Sequence, residues 1–347
     1  MDIYQPLLCS RGRHPGKHAL VLSLKELVSK LLEVPVNVFV SVVGRNLILF
    51  LSWLALDLST SKIDMGASVR TRLQAYMEPL FILGVSIYYL PVTLLLHPIL
   101  FLTSPGAFRS KWFENFWNIV GPQMAASEIQ VDHIEDLLSQ ARGTVLELGP
   151  GGGDQMFHYD PAEITRLYGA EPNIFLHARL VESAEKNGLG TKLITLEAGA
   201  QPGSLLPALQ RAALIPSTTT TLPEQGIFDT IVAVKSLCSA PQTQLTATVA
   251  IIQALLKPGG EFLFFEHVAN STDSLTMSYA WFMDWIWPLF MGGCRLDGRL
   301  DKIVLGMGGW DERKITTVGD FQGHEVRRHR KTDPPNVPDE GFSAFFV

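Results

Sequence analysis

Residues 145–154, VLELGPGGGD, carry the strongest chemical signal in the sequence. An apolar run, Val145, Leu146 and Leu148, leads into Gly149, Gly151 and Gly153 at alternate positions, with Glu147 in step before them. Glycine tolerates positive φ and puts no Cβ in the way of a ligand, so a turn of this kind at the carboxyl end of a parallel strand suits a cofactor lying against the backbone. A dinucleotide fingerprint beginning at Gly149 would need glycine where Asp154 stands, and no Gly-Lys-Ser/Thr follows to make a phosphate loop. Glu171, in GAEPN about twenty residues on, is placed to accept hydrogen bonds from both hydroxyls of a ribose. Lys257-Pro258-Gly259-Gly260 forms a tight turn feeding the apolar residues 262–265.

A second group of residues could act on a substrate. His267 ends the strand-like run 261–268, where active sites of open sheets form, and is the leading candidate for a general base. Glu266 points to the opposite face by strand alternation, so one member of the pair faces the cleft. Lys235 and Cys238 follow the run 228–234 and could line the same cleft, with Cys238 at its rim. Asp154 and His158 are expected to open a helix after the glycine turn, Asp154 either capping it or bonding the ligand's amino group. Trp281, Phe282, Trp285, Trp287 and Phe290, with Met283 and Met291, could roof an apolar pocket or form an apolar surface.

These residues need a scaffold. Strand-like runs at 144–148, 166–169, 192–196, 228–234 and 261–268 alternate with helical patterns, the signature of a doubly wound parallel sheet. The Thr/Pro-rich stretch 215–226 reads as a surface connector. The terminal FSAFFV, 342–347, is expected to pair as a closing strand with 324–330.

Upstream of residue 111 the texture differs. A basic leader holding Arg11, Arg13 and Lys17 precedes an amphipathic helical pattern over 24–32. The stretch 79–108 holds no charged residue, and 80–103 as a helix would span roughly 36 Å against about 30 Å of hydrocarbon. An earlier apolar run, 36–56, has Arg45 near its centre, which costs on the order of 3 kcal/mol on insertion. The expected organisation is thus a leader with one or two membrane segments over 1–110 and a soluble domain over 111–347. With both segments inserted, the basic leader places the soluble domain on the cytosolic side of an endomembrane. A net charge of -6 on 347 residues speaks against nucleic acid as a partner. The three cysteines, Cys9, Cys238 and Cys294, lie far apart with no CxxC or zinc spacing, so neither a disulfide framework nor a metal is expected. Asn270-Ser271-Thr272 fits a glycosylation triplet but falls in the part assigned to the cytosol.

The glycine turn, the acid after the second strand and Leu256-Lys257-Pro258-Gly259-Gly260 together resemble the class I methyltransferases over roughly 125–347. The resemblance implies a doubly wound, seven-stranded, mainly parallel sheet and S-adenosylmethionine as cofactor. It places the methionine part at Glu147, Gly149, Gly151 and Gly153, the ribose at Glu171, and the adenine beside residues 198–201, where Gln201 or the backbone stands in for the usual acid. Leu237-Cys238-Ser239, the strand end at 265–268, Trp287 and Gly293-Cys294 are similar to membrane-anchored proteins of the alkyl-thiol methyltransferase group. That likeness implies a small substrate, and similar sequences occur among natural-product tailoring enzymes. The aromatic segment at 281–291 and the apolar stretches upstream favour a lipophilic acceptor, so methyl transfer to sulfur or oxygen of a small, lipophilic molecule is expected. Methylation of a lipid, quinone or amine nitrogen, or a methyltransferase-like protein that only binds, remain the alternatives.

Overall fold

The sheet grows from runs that are apolar on both faces. In the computed structural model the described residues are 65–131, 134–216, 222–223, 225–267, 274–296, 298–310, 316–319 and 324–330. The patterns at 24–32, 36–56 and 342–347, and Asn270, lie outside them. The chain forms two compact units, Met1–Leu73 and Gln74–Val347. Of the first, only the start of one helix is described.

In chain order, α1 (Met65–Leu96), α2 (Pro98–Thr103), α3 (Pro105–Val131) and α4 (Ile134–Leu138) precede β1 (Gly143–Leu148) and β2 (Ile164–Ala170). Then α5 (His177–Lys186) leads to β3 (Leu193–Leu196), α6 (Pro202–Arg211) to β4 (Phe228–Val234), and α7 (Leu245–Leu255) to β5 (Leu256–His267). After these come α8 (Ser274–Met283), α9 (Trp287–Phe290), α10 (Leu300–Gly306), β6 (Thr316–Gly319) and β7 (His324–Arg330).

The strands lie in the order β3-β2-β1-β4-β5-β7-β6. The first five are parallel, as expected of a doubly wound sheet, while β7 runs antiparallel to both β5 and β6. The order in which strands are added reverses between β1 and β4, so their carboxyl ends open the crevice in which such sheets bind ligands. Alternation along each strand feeds two cores. Leu146, Ile231, Phe262 and Phe264 pack on one face, and Val145, Val232, Leu263 and Phe265 on the other.

The helix expected to open at Asp154 and His158 is not formed. A single 3-10 turn, Met156–His158, takes its place. Consecutive glycines at 151–153 and Pro161 leave too few residues to nucleate a helix.

Residues Tyr76–Leu96 of α1, with mean hydropathy 2.0, form one helix long and apolar enough to cross a membrane. One of its faces is nevertheless fastened to the sheet domain. The Trp112 indole N–H donates to the Ser86 carbonyl at 2.9 Å, Ser86 Oγ donates to the Phe290 carbonyl, and Asn115 donates to Thr93 Oγ1. The other face leaves Ile87 and Leu95 exposed.

Candidate active site

Two glycines shape the floor of the crevice. Gly149 has φ +67°, and a Cβ there would stand 2.6 Å from the Ser236 Cβ. Gly151 has φ +58°, and a Cβ there would press on the Trp117 indole at 3.1 Å. Glu171 fastens this turn to the end of β2: Oε2 accepts from the Gly151 N–H at 2.9 Å and Oε1 from the Asn173 N–H at 2.7 Å. Burial raises the Glu171 pKa, against the pull of those two N–H groups and of His177. Each of its oxygens keeps a second lone pair for a ligand. Gln201 precedes α6 in extended backbone beside Gly199.

Asp154 is ion-paired with Arg179, which also donates to Asn118 at 3.0 Å. It therefore ties α3 and α5 to the glycine turn. Gly153 stands behind the cavity wall, its carbonyl accepting from Ser183 Oγ at 2.6 Å.

Glu147 is buried, with one carboxylate oxygen lacking a hydrogen-bond partner. Burial pushes its pKa from 4.5 up to about 7, opposed by the Tyr159 hydroxyl and aided by the Glu171 charge. The folded chain keeps this proton up to about pH 7, whereas the unfolded chain loses it near the ordinary value. Stability therefore falls as pH rises between the two, and above pH 7 the full penalty is on the order of 3 kcal/mol. Glu147→Gln should accordingly raise the urea midpoint at about pH 8 and leave it nearly unchanged at about pH 4.5. An equal shift at both pH values would contradict this assignment.

From the glycine turn a cavity of about 580 Å³ runs past the ends of β4 and β5. Glu147, Gly149, Gly151, Glu171, Gln201 and His267 all line it. Glu266 and His267 divide as strand alternation requires. Glu266 is fully buried and accepts from the N–H groups of Ser236 at 2.7 Å, Leu237 at 2.6 Å and Cys238 at 3.1 Å. It holds the loop after β4, and His267 takes the cavity side. Lys235, also on the wall, has φ +48° and stacks its ammonium over the Phe265 ring.

The aromatic segment after β5 splits. Trp287 and Met291 are buried on the cavity wall, while Trp281, Phe282 and Trp285 face outward. The opposite wall comes from Tyr76, Pro79 and Ile82 of α1 and Phe113 and Trp117 of α3. Sequence reasoning missed these residues. Their only signal is apolar and aromatic spacing, which reads equally as a membrane segment.

Residues 125–299, just over half of the 347-residue chain, match the family described as methyltransferase domain. The chain belongs to the methyltransferase-domain family. Similar solved structures include an O-methyltransferase family protein from Burkholderia thailandensis (12% identity, TM-score 0.44, covering 66% of this chain and 61% of that one). Mitomycin 7-O-methyltransferase MmcR is 14% identical (TM-score 0.44; 67% and 60%), and PigF, solved with SAH, is 18% identical (TM-score 0.40; 67% and 61%). The chain thus spans less than two thirds of the length of each of these proteins. No curated protein sequence matches it.

The crevice of this methyltransferase-domain protein fits a nucleoside carrying a cationic amino-acid chain. The floor lacks the Cβ atoms that would fill it, the lining residue Glu147 has one carboxylate oxygen without a hydrogen-bond partner, and Glu171 keeps acceptor capacity for two hydroxyls. The volume suits a drug-sized ligand.

Proposed function

We propose that the protein transfers a methyl group from S-adenosylmethionine to sulfur or oxygen of a small, lipophilic acceptor. One observation carries this reading: a single cavity joins the glycine cradle and Glu171 to His267, in a chain of the methyltransferase-domain family. Glu171 would hold the ribose, Gly149 and Gly151 would let the methionine part lie on the backbone, and Glu147 would face its ammonium group. Gly153 shapes the turn from behind, and Gln201 borders the adenine.

The bound donor supplies an electrophilic methyl on a sulfonium. Displacement is in line, so the protein's work is to align the acceptor and exclude water. Trp287 and Met291 dry the wall, and His267 receives the proton of the acceptor hydroxyl or thiol. The test is methyl transfer to matched thiol, phenol and amine acceptors. Turnover is expected with thiol or phenol, and His267→Ala should slow it about 100-fold or more without weakening donor binding. Turnover with amines alone would overturn the acceptor assignment. Donor binding without any turnover would favour a protein that only binds.

Outward-facing apolar residues support a membrane as partner. Trp281, Phe282, Trp285 and Leu289 are exposed on one segment, and Leu95, Ile99 and Leu102 on α1 and α2. Both segments adjoin the start of α3, where Arg109 donates to the Pro288 carbonyl and Phe108 packs edge-on to Phe101. A lipophilic acceptor would reach the cavity from this side. Changing Trp281 and Trp285 together to Ser should weaken sedimentation with phosphatidylcholine vesicles at least about tenfold, each indole contributing on the order of 1 kcal/mol when partly inserted. Unchanged sedimentation would remove this surface from the account.

A further inference from the structure

Three side chains far apart in sequence meet on the acceptor end of the cavity. Cys238 follows β4, His267 ends β5 and Cys294 follows α9, and their donor atoms all lie within 4.8 Å of one another. Cys294 Sγ stands 2.8 Å from Cys238 Sγ and 3.5 Å from His267 Nδ1. Both thiols are free and buried, while His267 and Cys294 line the cavity.

The backbone holds this cluster together without help from the thiols. The Cys238 N–H donates to Glu266 at 3.1 Å, and the Cys238 carbonyl accepts from the Arg295 N–H at 3.0 Å. The Cys294 N–H donates to the Met291 carbonyl at 3.0 Å. Asp284 then fixes the far side of the loop, ion-paired with the Arg295 guanidinium and accepting from the Leu296 N–H at 2.9 Å. Two sulfurs and one imidazole nitrogen so converge from three segments that backbone hydrogen bonds tie to one another.

Two thiolates and an imidazole are the donors a borderline-soft cation prefers, and three protein ligands leave the fourth tetrahedral position open, as at catalytic zinc. Bonds of about 2.3 Å to sulfur and about 2.0 Å to nitrogen would need the sulfurs to part by roughly 1 Å, within reach of side-chain rotation. We infer that Cys238, His267 and Cys294 bind zinc, and that the fourth position takes the sulfur of a thiol acceptor.

This rests on the methyltransferase reading and narrows its acceptor to sulfur. As the acceptor sulfur takes the fourth position, its proton passes to solvent, so for a thiol acceptor His267 serves as metal ligand in place of the base role given to it above. A lone pair on that sulfur forms the new carbon–sulfur bond while the methyl's bond to the sulfonium breaks, and the breaking pair stays on the departing thioether sulfur. The methylated product is a neutral thioether, a weaker ligand than a thiolate, and leaves.

The full chain, purified with a non-thiol reductant and no chelator, should hold about one zinc per chain. Cobalt(II) in its place should show the absorption of tetrahedral thiolate coordination, and the bands should shift with hexanethiol but not hexanol. Cys238→Ser and Cys294→Ser should each reduce metal to background, and Trp281→Ser should retain it; thermal melts of all three separate loss of metal from loss of fold. Metal content in a doubly substituted Cys238→Ser, Cys294→Ser chain equal to wild type would overturn the site. So would a Cys238–Cys294 disulfide in the reduced preparation, or cobalt bands indifferent to hexanethiol. The cobalt measurement uses no methyl donor. A chain that binds cobalt and hexanethiol yet transfers no methyl therefore defeats the functional reading alone, and thiol methylation by a metal-stripped chain defeats the zinc site alone.

Discussion

Glu171→Ala is expected to abolish measurable S-adenosylmethionine binding, lowering affinity by about 100- to 1000-fold. Two hydrogen bonds between a carboxylate and ribose hydroxyls contribute roughly 3–4 kcal/mol together. The same substitution also removes the acceptor for the Gly151 and Asn173 N–H groups, which loosens the glycine turn. Glu171→Gln keeps the shape and part of the acceptor capacity, and should lose less. Calorimetric titration of the donor into each variant checks this. Wild-type affinity in Glu171→Ala would remove Glu171 from the donor site, and with it the assignment of the crevice.

The second large effect is expected at Glu266, a residue that touches neither the cavity nor the donor. Its carboxylate accepts from three successive N–H groups, and burial pushes its pKa up to about 6 although those N–H groups of Leu237, Ser236 and Cys238 pull it down. Glu266→Ala leaves three donors without partners, those of Leu237 and Cys238 buried and that of Ser236 half-buried, at roughly 1–3 kcal/mol each before relaxation, so a loss of about 3–5 kcal/mol is expected in urea unfolding. Glu266→Gln keeps an acceptor for part of the loop and should cost about half as much. A loss below about 1 kcal/mol for Glu266→Ala would show that the loop after β4 is held by other contacts.

What the sequence reveals and hides follows from how far apart the cooperating residues lie. The runs at Val145–Leu148 and Phe262–Phe265 are legible because central parallel strands are buried on both faces and read as unbroken apolar stretches. The start of β2 is less so, since Thr165 and Arg166 near its beginning are exposed. Glu171 is legible because its contact with the glycine turn lies within one strand-turn-strand unit. The grouping of Cys238, His267 and Cys294 is not, because it is made by the β4–β5 crossover and the return after α9, and no local spacing encodes it. Nor could apolar composition show that α1 packs one face on the domain and lines the cavity. Single polar contacts, Ser86 with Trp112 and Thr93 with Asn115, fix the docking of a face that also buries Ile82, Leu83, Val85 and Tyr89. The missing helix after Gly153 has a local cause that is visible in the sequence, three glycines followed by Pro161.

The central claim, that the crevice delivers a methyl group from S-adenosylmethionine, is tested most directly by incubating the full chain with methyl-labelled donor and a small-molecule extract of its source organism. Label is expected in an organic-soluble sulfur or oxygen methyl product with the wild-type chain and in none with Glu171→Ala. Equal labelling by the two chains, or donor bound by the wild type with no label transferred to any acceptor, would contradict it.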